Sequence, residues 1–170
     1  LNQSKDNIIL IGMMGTGKST VGCLLGEQLG YPLVDLDAAV EQEEGCSIAS
    51  MFANHGEAYF RQAESSMLQQ VLTGTQQVIA TGGGAVLDPL NCEYMQRLGW
   101  VVALAAEVND IVARVQGDGV RPLLADHPED RVRTILEERK NAYLFADYTV
   151  DTSKHSAEEV ASLILARYRV

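Results

Sequence analysis

Gly12-Met13-Met14-Gly15-Thr16-Gly17-Lys18-Ser19 follows directly on the apolar run Ile8-Ile9-Leu10-Ile11, and the reading of this stretch decides the fold. Glycines let backbone N–H groups turn inward and approach phosphate oxygens without interference from a β-carbon. In this spacing Lys18 is expected to reach the β and γ phosphates and the Ser19 hydroxyl to ligate Mg²⁺. The residues from Thr20 onward open a helix whose positive end faces the same phosphates. A glycine-rich turn with an incidental lysine is the bland alternative. The strand before and the helix after favour a nucleoside triphosphate site.

Working outward, short apolar runs alternate with helical stretches. Strands are expected over 7–11, 32–36, 77–81, 100–105 and 148–151. Helices are expected over 18–29, 38–44, 48–54, 57–73, 90–98, 108–115, 128–142 and 157–168. Strands too apolar to show a period of two predict a parallel sheet covered on both faces: an α/β three-layer αβα sandwich with five central strands. Ser156 and Glu159 have the spacing of a capping box. Asp88 before Pro89, and Asp126 before Pro128 and Glu129, look like helix starts. The chain reads as a single domain over 1–170, with a helical insert at about 38–73. Gly117, Gly119 and Pro122 mark a hinged loop, a lid at about 116–126.

A net charge of −10 argues against nucleic-acid binding, which favours a basic face. No run approaches 18 apolar residues, so no membrane partner is expected. Cys23, Cys46 and Cys92 are odd in number and widely spaced, which suits a reducing compartment and argues against zinc. His55, His127 and His155 lack metal-ligand spacing and read as surface or turn residues. The expected location is cytoplasmic, or plastid stroma if a transit peptide has been removed, and the expected state is a monomer. An acidic chain that binds triphosphate must concentrate a few cations locally. Between Lys18 and Arg61 there is no Lys or Arg, while seven acids occupy the interval.

In open parallel sheets, ligands bind beyond the carboxyl ends of the strands. The second strand delivers Asp35 and Asp37 there, two apart, so both carboxylates share a face if the strand persists. One would then sit near Mg²⁺ and one near an acceptor hydroxyl. Alternatively, Asp37 merely caps the next helix and Asp35 is a solvated strand end. Glu107, after the fourth strand, competes as a metal-side acid, or is only first-turn charge. Gly82-Gly83-Gly84 is costly in chain entropy unless the backbone approaches something closely, and a ligand is the expected something. Arg61 stands three residues before Glu64, which can hold it in position. Arg121 lies on the expected lid and Arg139 on the helix beyond it. Guanidinium groups bind carboxylate and phosphate bidentately. Arg97, Arg131, Arg133, Arg167 and Arg169 have no such context and read as solvated.

With these residues assembled, the chain resembles the shikimate kinases, small P-loop kinases of the nucleoside-monophosphate-kinase-like fold with a mobile lid. The resemblance runs through Gly12–Thr20, Asp35-Leu36-Asp37, the segment Gly56 to Glu64, Thr81 to Val86, Arg114, Arg121-Pro122-Leu123-Leu124, Arg139 with Tyr143, and Val150-Asp151-Thr152. It implies transfer of the γ-phosphate of ATP to the 3-hydroxyl of shikimate, a step towards chorismate and the aromatic amino acids. ATP would be held by Gly12, Gly15, Thr16, Gly17, Lys18, Ser19 and Thr20, with Arg114 against adenine and Arg121 closing with the lid. Ser19 would ligate Mg²⁺, and Asp35 would hold it through water. Asp37 would orient or deprotonate the attacking hydroxyl. Arg61 and Arg139 would clamp the shikimate carboxylate, with Gly82, Gly83 and Gly84 against its ring oxygens. Asp37, Lys18 and Arg121 are thus the implied catalytic set. A gluconate-type kinase shares the loop and lid but has no use for two arginines aimed at an acceptor carboxylate. A nucleotide-binding regulatory module would need a partner surface that nothing in the sequence requires.

Overall fold

The computed structural model describes residues 5–116 and 127–168. Five parallel strands, β1 (Ile8–Ile11), β2 (Leu33–Asp35), β3 (Val78–Ala80), β4 (Trp100–Ala105) and β5 (Tyr148–Asp151), form one sheet in the order β2-β3-β1-β4-β5. Among the described residues eight α-helices flank it. They are α1 (Lys18–Leu29), α2 (Leu36–Glu44), α3 (Ile48–His55), α4 (Glu57–Val71), α5 (Pro89–Leu98), α6 (Val108–Gln116), α7 (Pro128–Arg139) and α8 (Ala157–Tyr168).

β1 lies at the centre, with Ile8 opposite Val78 of β3 on one side and Trp100 of β4 on the other. Its four side chains are fully buried and alternate between two cores. Ile9 and Ile11 pack with Ile79, Val101 and the helices α2 to α5. Ile8 and Leu10 pack with Val78, Val102 and the helices α1 and α8. Because both faces are covered, no polar alternation is possible, and the uniformly apolar run follows. A third cluster joins Met13 and Met14 of the phosphate loop to Ile111 and Val115 of α6 and Val132 and Ile135 of α7.

Several expected boundaries move. β2 ends at Asp35 and α2 begins at Leu36, because the Asp35 carboxylate accepts from Ala38 N at 3.2 Å and caps the helix early. α4 stops at Val71 rather than 73, where the Thr73 hydroxyl donates to Gln70 O at 2.7 Å and closes a turn. α7 stops at Arg139 rather than 142, since Ala142 N donates to Arg139 O in a tighter turn. Half of the capping box at Ser156 forms: Glu159 N donates to its hydroxyl, while the Glu159 carboxylate lies 3.1 Å from His155 Nδ1. The residue before α7 is His127, with φ of 49° and no side-chain cap. Asp126, the expected cap, and residues 117–126 of the expected lid lie outside the described residues. No helix among the described residues is long and apolar enough to cross a membrane.

Asn7 ties the amino end of the sheet together. It is buried, its amide donates to Gly74 O at 2.9 Å and Leu98 O at 3.2 Å, and its Oδ1 accepts from Gln77 N at 3.1 Å. The chain entering β3 and the chain entering β4 are thereby fixed to the start of β1. Asn7→Ala removes the side-chain partner of three part-buried backbone groups and should cost about 1–3 kcal/mol, read as a lower urea midpoint at unchanged m value.

Candidate active site

The carboxyl end of β1 turns sharply at Gly12, whose φ of 143° only glycine adopts comfortably. A β-carbon there would also strike Leu104 O of β4. The Thr16 hydroxyl donates to Met13 O at 2.7 Å and braces the loop from inside. Lys18 Nζ lies over the loop, donating to Gly12 O at 2.7 Å and Met13 O at 2.9 Å. α1 starts at Lys18 with Gly17 as its cap and no acid in its first turn, so its positive end is not neutralised there. Thr20 is exposed on that first turn. The Ser19 hydroxyl donates to Asp35 Oδ2 at 3.2 Å, which brings the two expected metal-side groups together. Arg114 donates to Gly15 O at 3.0 Å and to Thr152 Oγ1 at 3.2 Å, so it borders the loop on the α6 side.

The two aspartates do not share a strand face. β2 ends at Asp35, which serves as the helix cap itself, and Asp37 stands in the first turn of α2. The cap that could have fallen on Asp37 therefore belongs to its neighbour. This separates the pair: Asp35 faces Ser19, whereas Asp37 points across to Gly82. Glu107 is exposed, with its N–H donating to Ser153 Oγ and its carbonyl accepting from Ile111 N at the start of α6, as first-turn charge would be.

Opposite the loop, three glycines after β3 make room for four charged side chains. A β-carbon on Gly82 would lie 2.7 Å from Asp37 Oδ1 and 2.8 Å from Glu64 Oε2. One on Gly83 would sit 3.3 Å from Met14 N and 3.4 Å from an Arg139 guanidinium nitrogen, and one on Gly84 would overlap the Arg61 guanidinium. None of the three has a positive φ, so space, tightest at Gly82 and Gly84, and not backbone freedom is what favours glycine here. The expected reason for the glycines is thus extended: protein side chains come within contact of them. Tyr143, in the turn after α7, donates its hydroxyl to Gly83 O at 2.7 Å.

Arg61 is held as its spacing suggested. Its guanidinium donates to Glu64 Oε1 at 2.8 Å, and Glu57 approaches within 3.5 Å. The two partners differ in weight, because Glu64 is 1% exposed and Glu57 62%. The buried pair is far less screened. Burial pushes the Glu64 carboxyl above the ordinary range; Arg61 opposes that shift, Asp37 adds to it, and Arg139 also opposes it. Arg139 is 9% exposed. Burial raises the Tyr143 hydroxyl as well, against its contact with Arg139. Arg97 over Tyr94, Arg133 beside Glu129 and Arg167 over Tyr148 take no part in this group. Arg121 lies outside the described residues.

The structure therefore gathers Gly12, Lys18, Ser19 and Asp35 on one side of Gly83, and Asp37, Arg61, Gly82, Gly84 and Arg139 on the other. Two features escaped sequence reasoning. Met13 and Met14 occupy free positions of the loop pattern, yet they anchor α6 and α7 to it. Glu64 faces Asp37 as well as Arg61, an approach between α2 and α4 that no local spacing encodes.

A phosphate loop at the end of a central parallel strand, facing a compact cluster of acids and arginines, defines a small-molecule kinase of the P-loop class. The family description of shikimate kinase matches residues 14–169. A shikimate kinase of Caldanaerobacter subterraneus subsp. tengcongensis is 42% identical over 163 residues, covering 95% of both chains. The solved shikimate kinase from Acinetobacter baumannii, in complex with shikimate, superimposes with a TM-score of 0.92 at 36% identity, over 97% of this chain and 93% of that one. That from Bacteroides thetaiotaomicron gives 0.88 at 30% identity, over 96% and 98%. The chain belongs to the shikimate kinase family.

The raised Glu64 carboxyl has a defined consequence for stability. A folded-state pKa above the unfolded one adds stability below the unfolded value, and this is lost as pH rises through the folded one. Glu64→Gln removes that titration. Its unfolding free energy relative to the parent should therefore be least favourable near pH 4 and improve towards pH 7, measured by urea denaturation at both.

Proposed function

We infer that the chain transfers the γ-phosphate of ATP to the 3-hydroxyl of shikimate, giving shikimate 3-phosphate and ADP. The observation that carries this reading is the convergence of Asp37, Arg61 and Arg139 on the glycine turn beside the phosphate loop. The shikimate-bound relative, superimposing along nearly the whole chain, supports the same acceptor.

Phosphoryl transfer asks a protein for positioning and charge neutralisation more than for covalent chemistry. The loop backbone from Gly12 to Ser19, with Thr20, cradles the phosphates, and Lys18 swings from its carbonyl contacts to the β and γ oxygens. Arg114 flanks the nucleotide base. Arg121, outside the described residues, would supply a further guanidinium to the transferring phosphate. Arg61 and Arg139 bind the acceptor carboxylate in fork geometry. Gly82, Gly83 and Gly84 let the acceptor ring come close to the backbone. Asp37 accepts a hydrogen bond from the attacking hydroxyl and takes its proton as the O–P bond forms. Closure over the site excludes water, the competing acceptor.

The Ser19–Asp35 pair fits Mg²⁺: a hydroxyl and a carboxylate 3.2 Å apart at the loop mouth supply the hard oxygen donors this ion prefers. When bound, Mg²⁺ offsets charge on the β and γ phosphates. Ser19 would bind it directly and Asp35 through water.

ADP release from Mg²⁺-ATP, followed with and without shikimate, tests the reading; absence of shikimate-dependent turnover would sink it. Asp37→Asn should lower kcat by roughly 10²–10⁴-fold with little change in ATP affinity. Arg139→Lys should act mainly on the KM for shikimate, because lysine cannot reproduce the two-pronged contact, and initial-rate kinetics separate the two effects.

A further inference from the structure

Asn91 sits inside α5, 1% exposed, at a position the phosphate and acceptor motifs do not include. Its amide nitrogen donates to Ser65 Oγ of α4 at 3.0 Å and to Ala85 O at 3.0 Å. Ala85 O can only accept, so the amide nitrogen must face it, and Asn91 Oδ1 is left buried without a hydrogen-bond partner among the described residues. Burying an unpaired oxygen is unfavourable. The residue's two donor hydrogens are what offset that.

One donor holds Ala85 O at the end of the glycine turn and the other holds Ser65 of α4. Its successive carbonyls are all engaged: Gly82 O by Ala85 N, Gly83 O by Tyr143, Gly84 O by Leu87 N, Ala85 O by Asn91 and Val86 O by the Cys92 thiol. Of these tethers, Asn91 also grips α4, the helix that carries Arg61 and Glu64. Ser65 lies one helical turn beyond Arg61, next to Glu64. Gly84 abuts the Arg61 guanidinium with no room for a β-carbon. The turn thus packs closely on the Arg61 guanidinium, and the Asn91 bridge ties it to the helix that carries that side chain.

We propose that Asn91 is a positioning residue for the acceptor site, fixing the Gly82–Gly84 turn against α4 and so setting where Arg61 presents its guanidinium. The proposal rests on the acceptor reading given above. Its effect is expected chiefly on acceptor binding, because Asn91 bonds to Ser65 of α4 and to Ala85 O and to no group of the phosphate loop.

Initial-rate kinetics on the full chain test it, varying shikimate and ATP separately. Asn91→Ala should raise the KM for shikimate about tenfold and Ser65→Ala about threefold, with the KM for ATP and kcat within about twofold of the parent. Asn91→Asp keeps the shape but sets an acceptor against Ala85 O, and should match Asn91→Ala. Asn7→Ala is the control: a buried amide at the far end of the sheet, whose loss should lower the urea midpoint at least as much while leaving the KM for shikimate unchanged. A KM for shikimate within twofold of the parent in the Asn91 and Ser65 variants overturns the proposal, as does an equal rise in Asn7→Ala. If Asn91→Ala fails to accumulate, Ser65→Ala decides alone. A parent without shikimate-dependent ADP release would defeat the functional reading instead.

Discussion

Parallel pairing of β1 on both sides is the constraint on which the rest depends. With β3 on one edge and β4 on the other, the chain leaving β1 emerges where the two neighbouring carboxyl ends face each other. Gly12 must pass Leu104 O at the end of β4, and Gly83, after β3, comes to within contact of Gly12 O and Met14 N. Phosphate loop and glycine turn are therefore neighbours by strand order. No long-range tether has to bring them together. The site follows from the sheet, and the two buried cores that hold the sheet flat against its helices hold the site as well.

Charge imposes the second constraint. The chain carries ten more acids than bases, yet both proposed ligands are anions. Local arrangement has to overcome that field. Arg61 and Arg139 are both largely withdrawn from solvent, where their attraction for an anion is less screened. Withdrawal would be costly for lone guanidiniums, and for Arg61 the ion pair with buried Glu64 offsets it. Two carboxylates, Asp37 and Glu64, face two guanidiniums across Gly82 to Gly84, so the cluster carries no large net charge of its own. The raised Glu64 carboxyl is the residual strain of that arrangement.

Much of this was legible in the sequence because it is local. The loop pattern, the apolar run before it, the Arg61–Glu64 spacing and the proline-marked start of α5 are short-range signals, and each appears where its chemistry put it. The shared strand face expected for Asp35 and Asp37 does not form, for an equally local reason. A two-residue spacing implies one face only while the strand lasts, and a helix capped by Asp35 ended it early. What could not be read was approach between distant segments. Met13 and Met14 fill pattern positions open to most residues, and only the packing of α6 and α7 reveals their use. Asn91 left one trace, a polar residue four before the buried Met95 on the inward stripe of α5, but its partners on α4 and the turn are far away in sequence.

The glycine turn shows how a correct local inference can have a different cause. Three consecutive glycines implied that something comes close to the backbone. Protein groups occupy the space a β-carbon would need at Gly82, where Asp37 and Glu64 stand, and at Gly84, where Arg61 stands, while at Gly83 Met14 N and Arg139 leave only a tight fit. These groups come from α2, the phosphate loop, α4 and α7, which share no local sequence. A thicker turn would push them apart by roughly the width of a methyl group, and the proposed acceptor clamp would tolerate little such drift, since a 1 Å misplacement can cost on the order of 10²-fold in rate. The glycines thus subtract side chains so that four segments can meet in one small volume. The proposed approach of an acceptor ring would follow from that convergence, because the thin turn brings the charged groups and the backbone to one place.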